Sequence, residues 1–265
     1  MKPYYEESGI VIYHGDCREI APQLPPVDLV VTSPPYAQQR DYCFKRGEFV
    51  WEHVVPRALA NVNISPDGQV LVNLGLVHKD GEVVTYWDAL IPVMRAYGFR
   101  LFGWYPWDQG FGLMGDWQGR FAPSHEWVFH FNRGARRPNK TQPCKGHGTR
   151  KCSATFRKSD GSLKALTHNG RDVQSHKIPD SVIRITREMA RNIGGHPAPY
   201  PSAFAEFILR AWDGAVLDPF MGGGTSLIAA QALGRKAIGI EIEEAYCEIA
   251  AKRLSQGVLP MEIAG

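Results

Sequence analysis

The sequence predicts an α/β protein with a doubly wound, mostly parallel sheet of seven strands and an inserted basic lobe. Short apolar runs alternate with stretches of helical periodicity, as in sheets whose parallel strands are joined by helices. The alternation stops between residues 134 and 192, where glycine, proline and polar residues dominate. The 265 residues, 44% hydrophobic and 22% charged, suffice for one globular domain with such an insertion.

The individual elements follow from the same periodicities. The predicted strands are residues 10–14, 27–32, 69–74, 100–104, 127–131, 215–217 and 236–240. The predicted helices are residues 82–97, 202–212, 225–233 and 243–254. We therefore divide the chain into a first half, 1–132, a basic insert, 133–193, and a second half, 194–265, that completes the same domain.

Charge is distributed unevenly along the chain. Residues 133–191 hold 15 Lys and Arg against four Asp and Glu, a net of +11, which leaves 15 basic and 23 acidic residues, a net of −8, elsewhere. Such a basic segment on an acidic body is typical of a surface that neutralises phosphates, although a merely solvated loop has the same composition.

The five cysteines form an odd, scattered set, which indicates a reducing compartment. With no secretory signal and no long apolar run in the sequence, we expect a cytoplasmic protein without a membrane partner. Cys144, His147 and Cys152 suggest a zinc site, but their spacing is loose, so the prediction is free thiols and no metal.

A glycine-rich turn follows the strand at 215–217. Asp218, Pro219 and Phe220 lead into Gly222, Gly223 and Gly224, and Thr225 begins a helix. Glu241 ends the next strand, where a carboxylate can accept hydrogen bonds from a ribose diol. A structural turn and a dinucleotide site are the alternatives, but the dinucleotide spacing is not matched. Because an acid at Asp218 suits an ammonium group better than a pyrophosphate, the predicted ligand is S-adenosylmethionine.

A second turn follows the strand at 27–32. Ser33, Pro34, Pro35 and Tyr36 leave the sheet rigidly, because proline cannot continue a strand ladder. The Ser33 hydroxyl and the Pro34 carbonyl can accept hydrogen bonds from an exocyclic amine, with the Tyr36 ring stacking on the base. Alone, the two prolines could simply stiffen a loop.

Together the two turns resemble the amino-group DNA methyltransferases, which methylate a base amine with S-adenosylmethionine on a Rossmann-like methyltransferase fold. The order of the turns is similar to the circularly permuted beta group. The resemblance implies a catalytic first half, a target-recognition insert and a cofactor-binding second half. It also implies that Asp16 contacts the cofactor adenine, with Ile242 packed on that ring and Pro201, Ser202 and Phe204 near the methionine end. The expected cofactor-binding residues are Asp16, Cys17, Thr32, Pro201, Ser202, Phe204, Asp218, Pro219, Phe220, Gly222, Gly224, Thr225, Glu241 and Ile242. His125, Glu126 and Trp127 also resemble the family pattern, and we interpret them as structural.

Serine at the head of the second turn, where many adenine methyltransferases carry aspartate, resembles the cytosine-N4 subgroup. Cytosine N4 is therefore favoured over adenine N6, the alternative with the same mechanism. A noncatalytic DNA-binding protein on this scaffold and a methyltransferase acting on RNA or protein are more distant alternatives. A zinc deaminase is disfavoured because its ligand spacing is absent.

The resemblance implies a prokaryotic or phage-encoded protein associated with DNA, and the expected partner is DNA in double-stranded form. A companion restriction endonuclease is a further possibility, and the expected assembly is a monomer or homodimer. The expected DNA-binding residues are Arg40, in a closing loop at 38–49, and Arg136, Arg137, Lys140, Lys145, Arg150, Lys151, Arg157 and Lys158 in or beside the insert.

Overall fold

The computed structural model describes residues 1–36, 51–149, 155–165, 172–187 and 200–257. The described strands are β1 (Tyr5–Glu7), β2 (Ile10–His14), β3 (Val27–Thr32), β4 (Ile64–Leu74), β5 (Val77–Lys79), β6 (Glu82–Val84), β7 (Arg100–Asp108), β8 (His125–Asn132), β9 (Gln142–Pro143), β10 (Thr155–Arg157), β11 (Leu163–Ala165), β12 (His176–Lys177), β13 (Ile183–Arg184), β14 (Val216–Asp218) and β15 (Ala237–Glu241). The described helices are α1 (Cys17–Ile20), α2 (Trp51–Ala60), α3 (Leu90–Ala96), α4 (Ser202–Leu209), α5 (Thr225–Ala232) and α6 (Glu244–Gly257).

Nine described strands form the central sheet, in the order β1-β2-β15-β14-β3-β4-β8-β7-β13. The five strands from β2 to β4 in this order are parallel to one another. Strand β8 is antiparallel to both of its neighbours, β4 and β7. At the edges, β1 pairs antiparallel with β2 and β13 pairs parallel with β7. All seven predicted strands lie in this sheet. The predicted number was too small, because the short strands β1 and β13 extend the two edges.

Helices cover both faces of the sheet, which makes the fold doubly wound. Along β3, Val30 packs on one side with α2 and α3, whereas Leu29 and Val31 pack on the other side with α4, α5 and α6. Successive strand residues point to opposite faces, so an uninterrupted apolar run is what a strand buried on both sides requires. The predicted α/β fold class is confirmed by this arrangement.

The predicted helix at 82–97 is wrong in its first half. Val83 and Val84 lie in a β-hairpin, where β6 pairs with β5 across a turn at Asp80 and Gly81, both with positive φ. β-branched residues beside an Asp-Gly turn favour this hairpin over a helix. Helix α3 begins only at Leu90, after a 3₁₀ turn at Tyr86–Ala89.

A largely buried polar network joins the antiparallel part of the sheet. Gln69 on β4 accepts hydrogen bonds from His130 Nε2 at 2.8 Å and from Asn132 Nδ2 at 2.9 Å. His130 Nδ1 then accepts from the Tyr105 hydroxyl at 3.0 Å. Burial lowers the pKa of His130 to about 4, so the ring is neutral in this network.

The chain divides into two compact units, Met1–Arg137 with Ser181–Gly265, and Pro138–Asp180. The smaller unit contains two short antiparallel pairs, β9 with β12 and β10 with β11. The larger unit retains Arg136 and β13, which lie inside the predicted insert of 133–193. Among the residues described, no helix has the length and apolar character needed to cross a membrane.

Candidate active site

Four neighbouring strands of the larger unit end at one edge of the sheet. Strands β2, β15, β14 and β3 are parallel and adjacent, so Asp16, Glu241, the glycine turn and Ser33 follow their carboxyl ends side by side. The connections diverge here, since β14 leads to β15 on one side and β3 leads to β4 on the other. Open α/β sheets bind ligands in the crevice at such a switch point.

Glu241 and the glycine turn are joined by a hydrogen bond. The Gly222 amide donates to Glu241 Oε2 at 2.9 Å, and the Glu243 amide donates to Oε1 at 2.9 Å. Burial raises the pKa of Glu241, while these amides oppose the rise. Each carboxylate oxygen accepts one amide and has further lone-pair capacity, which suits a vicinal diol. Gly222 and Gly224 have φ of 50° and 77°, a backbone region that favours glycine.

Asp218 lies inside the protein, 1% exposed, beneath the glycine turn. Its carboxylate accepts hydrogen bonds from Thr32 Oγ1 at 2.6 Å, from the Phe220 amide at 3.1 Å and from the Ser226 hydroxyl. Burial raises the pKa of Asp218 to about 6. The sequence predicted a carboxylate that faces a ligand ammonium. The structure gives it three protein donors, with which such a contact would compete.

Asp16 begins α1 as its N-cap. It accepts from the Arg18 amide at 2.8 Å and pairs with the Arg18 guanidinium at 2.5 Å, which holds the pKa of Asp16 below its ordinary value. The next residue, Cys17, is buried, and burial raises the pKa of its thiol to about 12. The thiol is therefore protonated and packs in the core, and it does not serve as a nucleophile. Ile242 is 41% exposed, and its carbonyl lies 3.0 Å from His14 Nε2.

The remaining residues expected at the cofactor differ in exposure. Phe204 on α4 is buried, with its ring centroid 4.3 Å from that of Trp107. Pro201 is the N-cap of α4, and Ser202 begins the helix. Thr32, Pro219 and Thr225 are buried, and Phe220 is partly buried.

The turn from Ser33 to Tyr36 is held by its neighbours. Trp51 on α2 donates from Nε1 to the Pro35 carbonyl at 2.8 Å. The Tyr36 ring packs so closely on Gly75 that a Cβ there would lie 2.5 Å from the ring. Ser33 Oγ lies 3.3 Å from the Tyr36 hydroxyl oxygen, within hydrogen-bond distance. The loop predicted at 38–49, with Arg40, lies outside the described residues.

Two residues missed by sequence reasoning complete this turn. Glu126 on β8, interpreted as structural, accepts from the Tyr36 hydroxyl at 2.7 Å. Asn73 on β4 donates to Glu126 at 2.5 Å and to the Tyr36 hydroxyl at 3.0 Å. The available signal was Asn73 itself, a polar residue within the apolar run of β4. Glu126 gives no comparable signal, because its position beside Tyr36 depends on strand order.

The residues predicted to bind DNA differ in exposure and in the unit of the structure to which they belong. Arg136 lies in the larger unit with its guanidinium 4.0 Å from both Asp28 and Asp67. The other described members are exposed: Arg137, Lys140, Lys145, Arg157 and Lys158. Arg150 and Lys151 lie outside the described residues. Phosphate binding by these residues stays a prediction.

The suggested zinc ligands are only partly described. Cys144 is a free thiol and His147 is exposed, whereas Cys152 lies outside the described residues. Within the ranges that the structure covers, no group of three or more His, Cys, Asp or Glu side chains is arranged to hold a metal ion.

Known proteins provide independent comparisons. The chain is 31% identical over 284 residues to the type II methyltransferase M.ScaI of Streptomyces caespitosus, covering 96% of this chain and 84% of that protein. Its fold is similar to that of PvuII DNA methyltransferase (cytosine-N4-specific), with a TM-score of 0.70 and 22% identity over 99% of this chain and 91% of that one. It is also similar to M1.HpyAVI in complex with S-adenosylmethionine, with a TM-score of 0.59 and 20% identity over 92% of this chain and 100% of that one.

These likenesses confirm the Rossmann-like methyltransferase fold. The family model described as DNA methylase, for the N6 and N4 methyltransferases, matches residues 27–252, which include both turns and the insert. With the relative of 31% identity along nearly the whole chain, this match shows that the chain belongs to the N6/N4 family of DNA methylases.

Proposed function

We propose that this protein methylates the N4 amine of a cytosine that is flipped out of duplex DNA. One observation supports this most directly: Ser33, an uncharged hydrogen-bond acceptor, follows β3, immediately beside the β14 and β15 edge that carries the glycine turn and Glu241. The target amine and the methyl donor would thus be held on adjacent strands. Alignment of two reactants accounts for on the order of 7–11 kcal/mol of a barrier in well-oriented systems.

The methyl donor is S-adenosylmethionine, which supplies a methyl group on a positively charged sulfonium when bound. The described residues fit it, because Glu241 has acceptor capacity for a ribose and Ile242 presents an exposed apolar side chain at the same edge. Asp16 would accept from the adenine amine. The glycine turn allows close approach of the ligand, and Phe204 with Pro201 and Ser202 would limit the methionine end.

The chain's own groups would act on the target amine as fixed acceptors. Hydrogen bonds from the amine to Ser33 Oγ and the Pro34 carbonyl would draw the nitrogen toward tetrahedral geometry and free its lone pair. Methyl transfer would form the nitrogen–carbon bond as the donor's carbon–sulfur bond breaks with its electron pair on sulfur, and the methylated amine would then release one proton to water. Cys17 takes no part as a nucleophile, because its thiol is buried and protonated.

The choice of cytosine is supported by two features. The head residue of the turn is Ser33 rather than a carboxylate, and the protein with a TM-score of 0.70 is named cytosine-N4-specific. Adenine N6 is the second candidate, because the family of the chain includes both activities. We also propose that the insert supplies phosphate contacts, since Arg157 and Lys158 are exposed on it. A companion endonuclease is suggested by the type II name of the relative M.ScaI.

The test is direct. Purified protein is incubated with unmethylated genomic duplex DNA and methyl-labelled S-adenosylmethionine, and the nucleosides are then separated by mass spectrometry. N4-methylcytosine is expected. Label on adenine alone would exclude the cytosine assignment and retain the amine mechanism, whereas label on neither base, with cofactor binding intact, would contradict both.

A further inference from the structure

Glu126 reaches the Ser33 turn from a different strand. It lies near the start of β8, two strands away from β3 in the sheet, yet its Oε2 atom accepts from the Tyr36 hydroxyl at 2.7 Å and from Asn73 Nδ2 at 2.5 Å. The cofactor and amine contacts proposed above do not use this carboxylate. Its two donors nevertheless both adjoin Ser33, since Asn73 Nδ2 lies 3.5 Å from Ser33 Oγ.

The hydrogen bonds around Tyr36 fix the direction in which each hydrogen points. A phenol has one hydrogen, and a carboxylate only accepts. Because Glu126 is both charged and nearer than Ser33, at 2.7 Å against 3.3 Å, the Tyr36 hydrogen belongs to Glu126. The Tyr36 oxygen is then an acceptor toward Ser33, and the Ser33 hydrogen points at Tyr36. One lone pair of Ser33 Oγ then faces Asn73 Nδ2, a donor 3.5 Å away, and the other is left to accept from the target amine.

Burial makes this arrangement durable. Asn73 is 2% exposed, and its amide is oriented by the Glu126 carboxylate, which requires the nitrogen rather than the oxygen on that side. Desolvation, and then the negative charge of Glu126, raise the pKa of Tyr36 well above its ordinary value. Tyr36 therefore keeps its hydrogen at neutral pH.

We propose that Glu126 is a positioning residue that acts through Tyr36 to make Ser33 an acceptor and to place a negative charge behind it. The proposal rests on the proposed function and deepens it. A serine at the head of the turn has no charge with which to stabilise the positive charge that develops on the amine. The carboxylate of Glu126, one hydroxyl away, provides that charge, and hydrogen-bond chains of this kind polarise one another in a buried site.

The first test is Glu126→Gln, measured at saturating DNA and S-adenosylmethionine. A Gln side chain is uncharged and can donate to Tyr36, which would reverse the chain of hydrogen bonds. We expect kcat to fall on the order of 10- to 100-fold, with the Kd for S-adenosylmethionine unchanged within about twofold. Glu82→Gln, at an exposed site on β6, is the matched control and should retain wild-type kcat.

The decisive test is a double-mutant cycle with Ser33→Asp, which installs a carboxylate directly at the head of the turn. If Glu126 acts through its negative charge and by orienting the hydroxyl hydrogens of Tyr36 and Ser33, Glu126→Gln should lower kcat by a much smaller factor in the Ser33→Asp background than in the wild type. An equal loss in both backgrounds would mean a purely structural role and would overturn the proposal.

A second cycle covers the case in which Glu126→Gln is too unstable to measure. Tyr36→Phe keeps the aromatic ring and removes the hydroxyl that joins Glu126 to Ser33, so it should lower kcat to a similar extent as Glu126→Gln. The double variant Tyr36→Phe with Glu126→Asp should have the same kcat as Tyr36→Phe alone. Wild-type kcat in Tyr36→Phe would reject the relay. The proposed function is tested separately and first, by identifying the base that the wild type methylates. Both mutant cycles are then measured on whichever amine is methylated.

Discussion

The hydroxyl of Thr32 donates a 2.6 Å hydrogen bond to the carboxylate of Asp218, although 186 positions separate the two residues in the chain. The bond joins the end of β3, which leads into the Ser33 turn, to the end of β14, which leads into the glycine turn. Both partners are 1% exposed, so the bond is not exchanged with water. The position of one turn relative to the other thus depends on a buried carboxylate and its donors.

Replacing Thr32 by Val should destabilise the protein in a pH-dependent way. The variant removes one donor from a buried carboxylate, at a cost of about 1–3 kcal/mol near pH 7.5. Asp218, whose pKa is raised to about 6, is mostly protonated at pH 5, so less of this cost should remain there. Urea unfolding at both pH values, with Thr32→Ser as the control that keeps the hydroxyl, makes the comparison. A difference that does not shrink at pH 5 would argue against Asp218 as the partner that matters.

Replacing Ser33 by Ala should lower turnover far more than cofactor affinity. The hydroxyl is expected to accept a hydrogen bond that strengthens as charge develops on the amine, so kcat should fall roughly 100-fold while the Kd for S-adenosylmethionine stays near the wild-type value. Single-turnover kinetics and equilibrium cofactor titration separate the two quantities. Unchanged turnover would remove Ser33 from the mechanism.

Replacing Glu241 by Gln should weaken cofactor binding and leave turnover nearly unchanged. A charged acceptor for the ribose hydroxyls is lost, so S-adenosylmethionine should bind about 10- to 100-fold more weakly, with kcat at saturating cofactor close to that of the wild type. Calorimetric titration measures the affinity. Glu248→Gln on the exposed face of α6, where Glu248 pairs with Lys252, is the control and should bind normally. Equal affinities for both variants would exclude Glu241 from the ribose site.

The buried His130 predicts a specific acid sensitivity. Its pKa is about 4 in the folded protein and near 6.5 when unfolded, so the unfolded state binds the extra proton as pH falls between these values. Stability should therefore decline in that window by about 3 kcal/mol from this residue. In His130→Gln the decline should be smaller by that amount in urea unfolding at pH 7, 6, 5 and 4.5. His53→Gln, at an exposed position, should show the same pH dependence of stability as the wild type. If His130→Gln also shows the wild-type pH dependence, His130 is not the source of the acid sensitivity.

The exposed hairpin of the insert provides a test of DNA binding. In Arg157→Ala with Lys158→Ala, the slope of log affinity against log salt should decrease by about two, since each phosphate contact contributes about 0.9. Fluorescence anisotropy with one duplex at several salt concentrations gives the slope. Arg210→Ala with Lys252→Ala removes two surface cations that already pair with acids on their own helices, and it should keep the wild-type slope. Should both pairs behave alike, the hairpin has no special role.

Much of the fold was predictable because the central strands are buried on both faces and therefore appear as short apolar runs. The glycine turn, Glu241 and the Ser33 turn were recognisable because each lies directly after such a run. Short edge strands such as Tyr5–Glu7 have no burial pattern of their own, and they exist only because a neighbouring strand offers hydrogen bonds. Helix α2 was missed as well, and it holds Pro56, a residue that argues against a helix when seen in sequence alone.

The site was harder to predict where it depends on lateral neighbours. Glu126 and Asn73 reach Tyr36 because β4 lies between β3 and β8, a strand order that no local pattern contains. Asp218 was correctly placed at the end of a strand, but whether its side chain meets ligand or protein depends on Thr32 and Ser226, which come from two other elements. Sequence spacing gives no information on such partners.

The adjacency of β2 and β15 has a consequence for how the protein is made. In the described sheet β2 pairs on one side with β1 and on the other only with β15, and His14 meets Ile242, 228 positions later. A ribosome must therefore synthesise β15, at residues 237–241, before β2 acquires its inner neighbour. Such non-local pairing folds slowly. The crevice proposed for the methyl donor therefore forms only once residue 241 has been synthesised, and a nascent chain that stops before Glu241 lacks the carboxylate proposed to accept from the ribose.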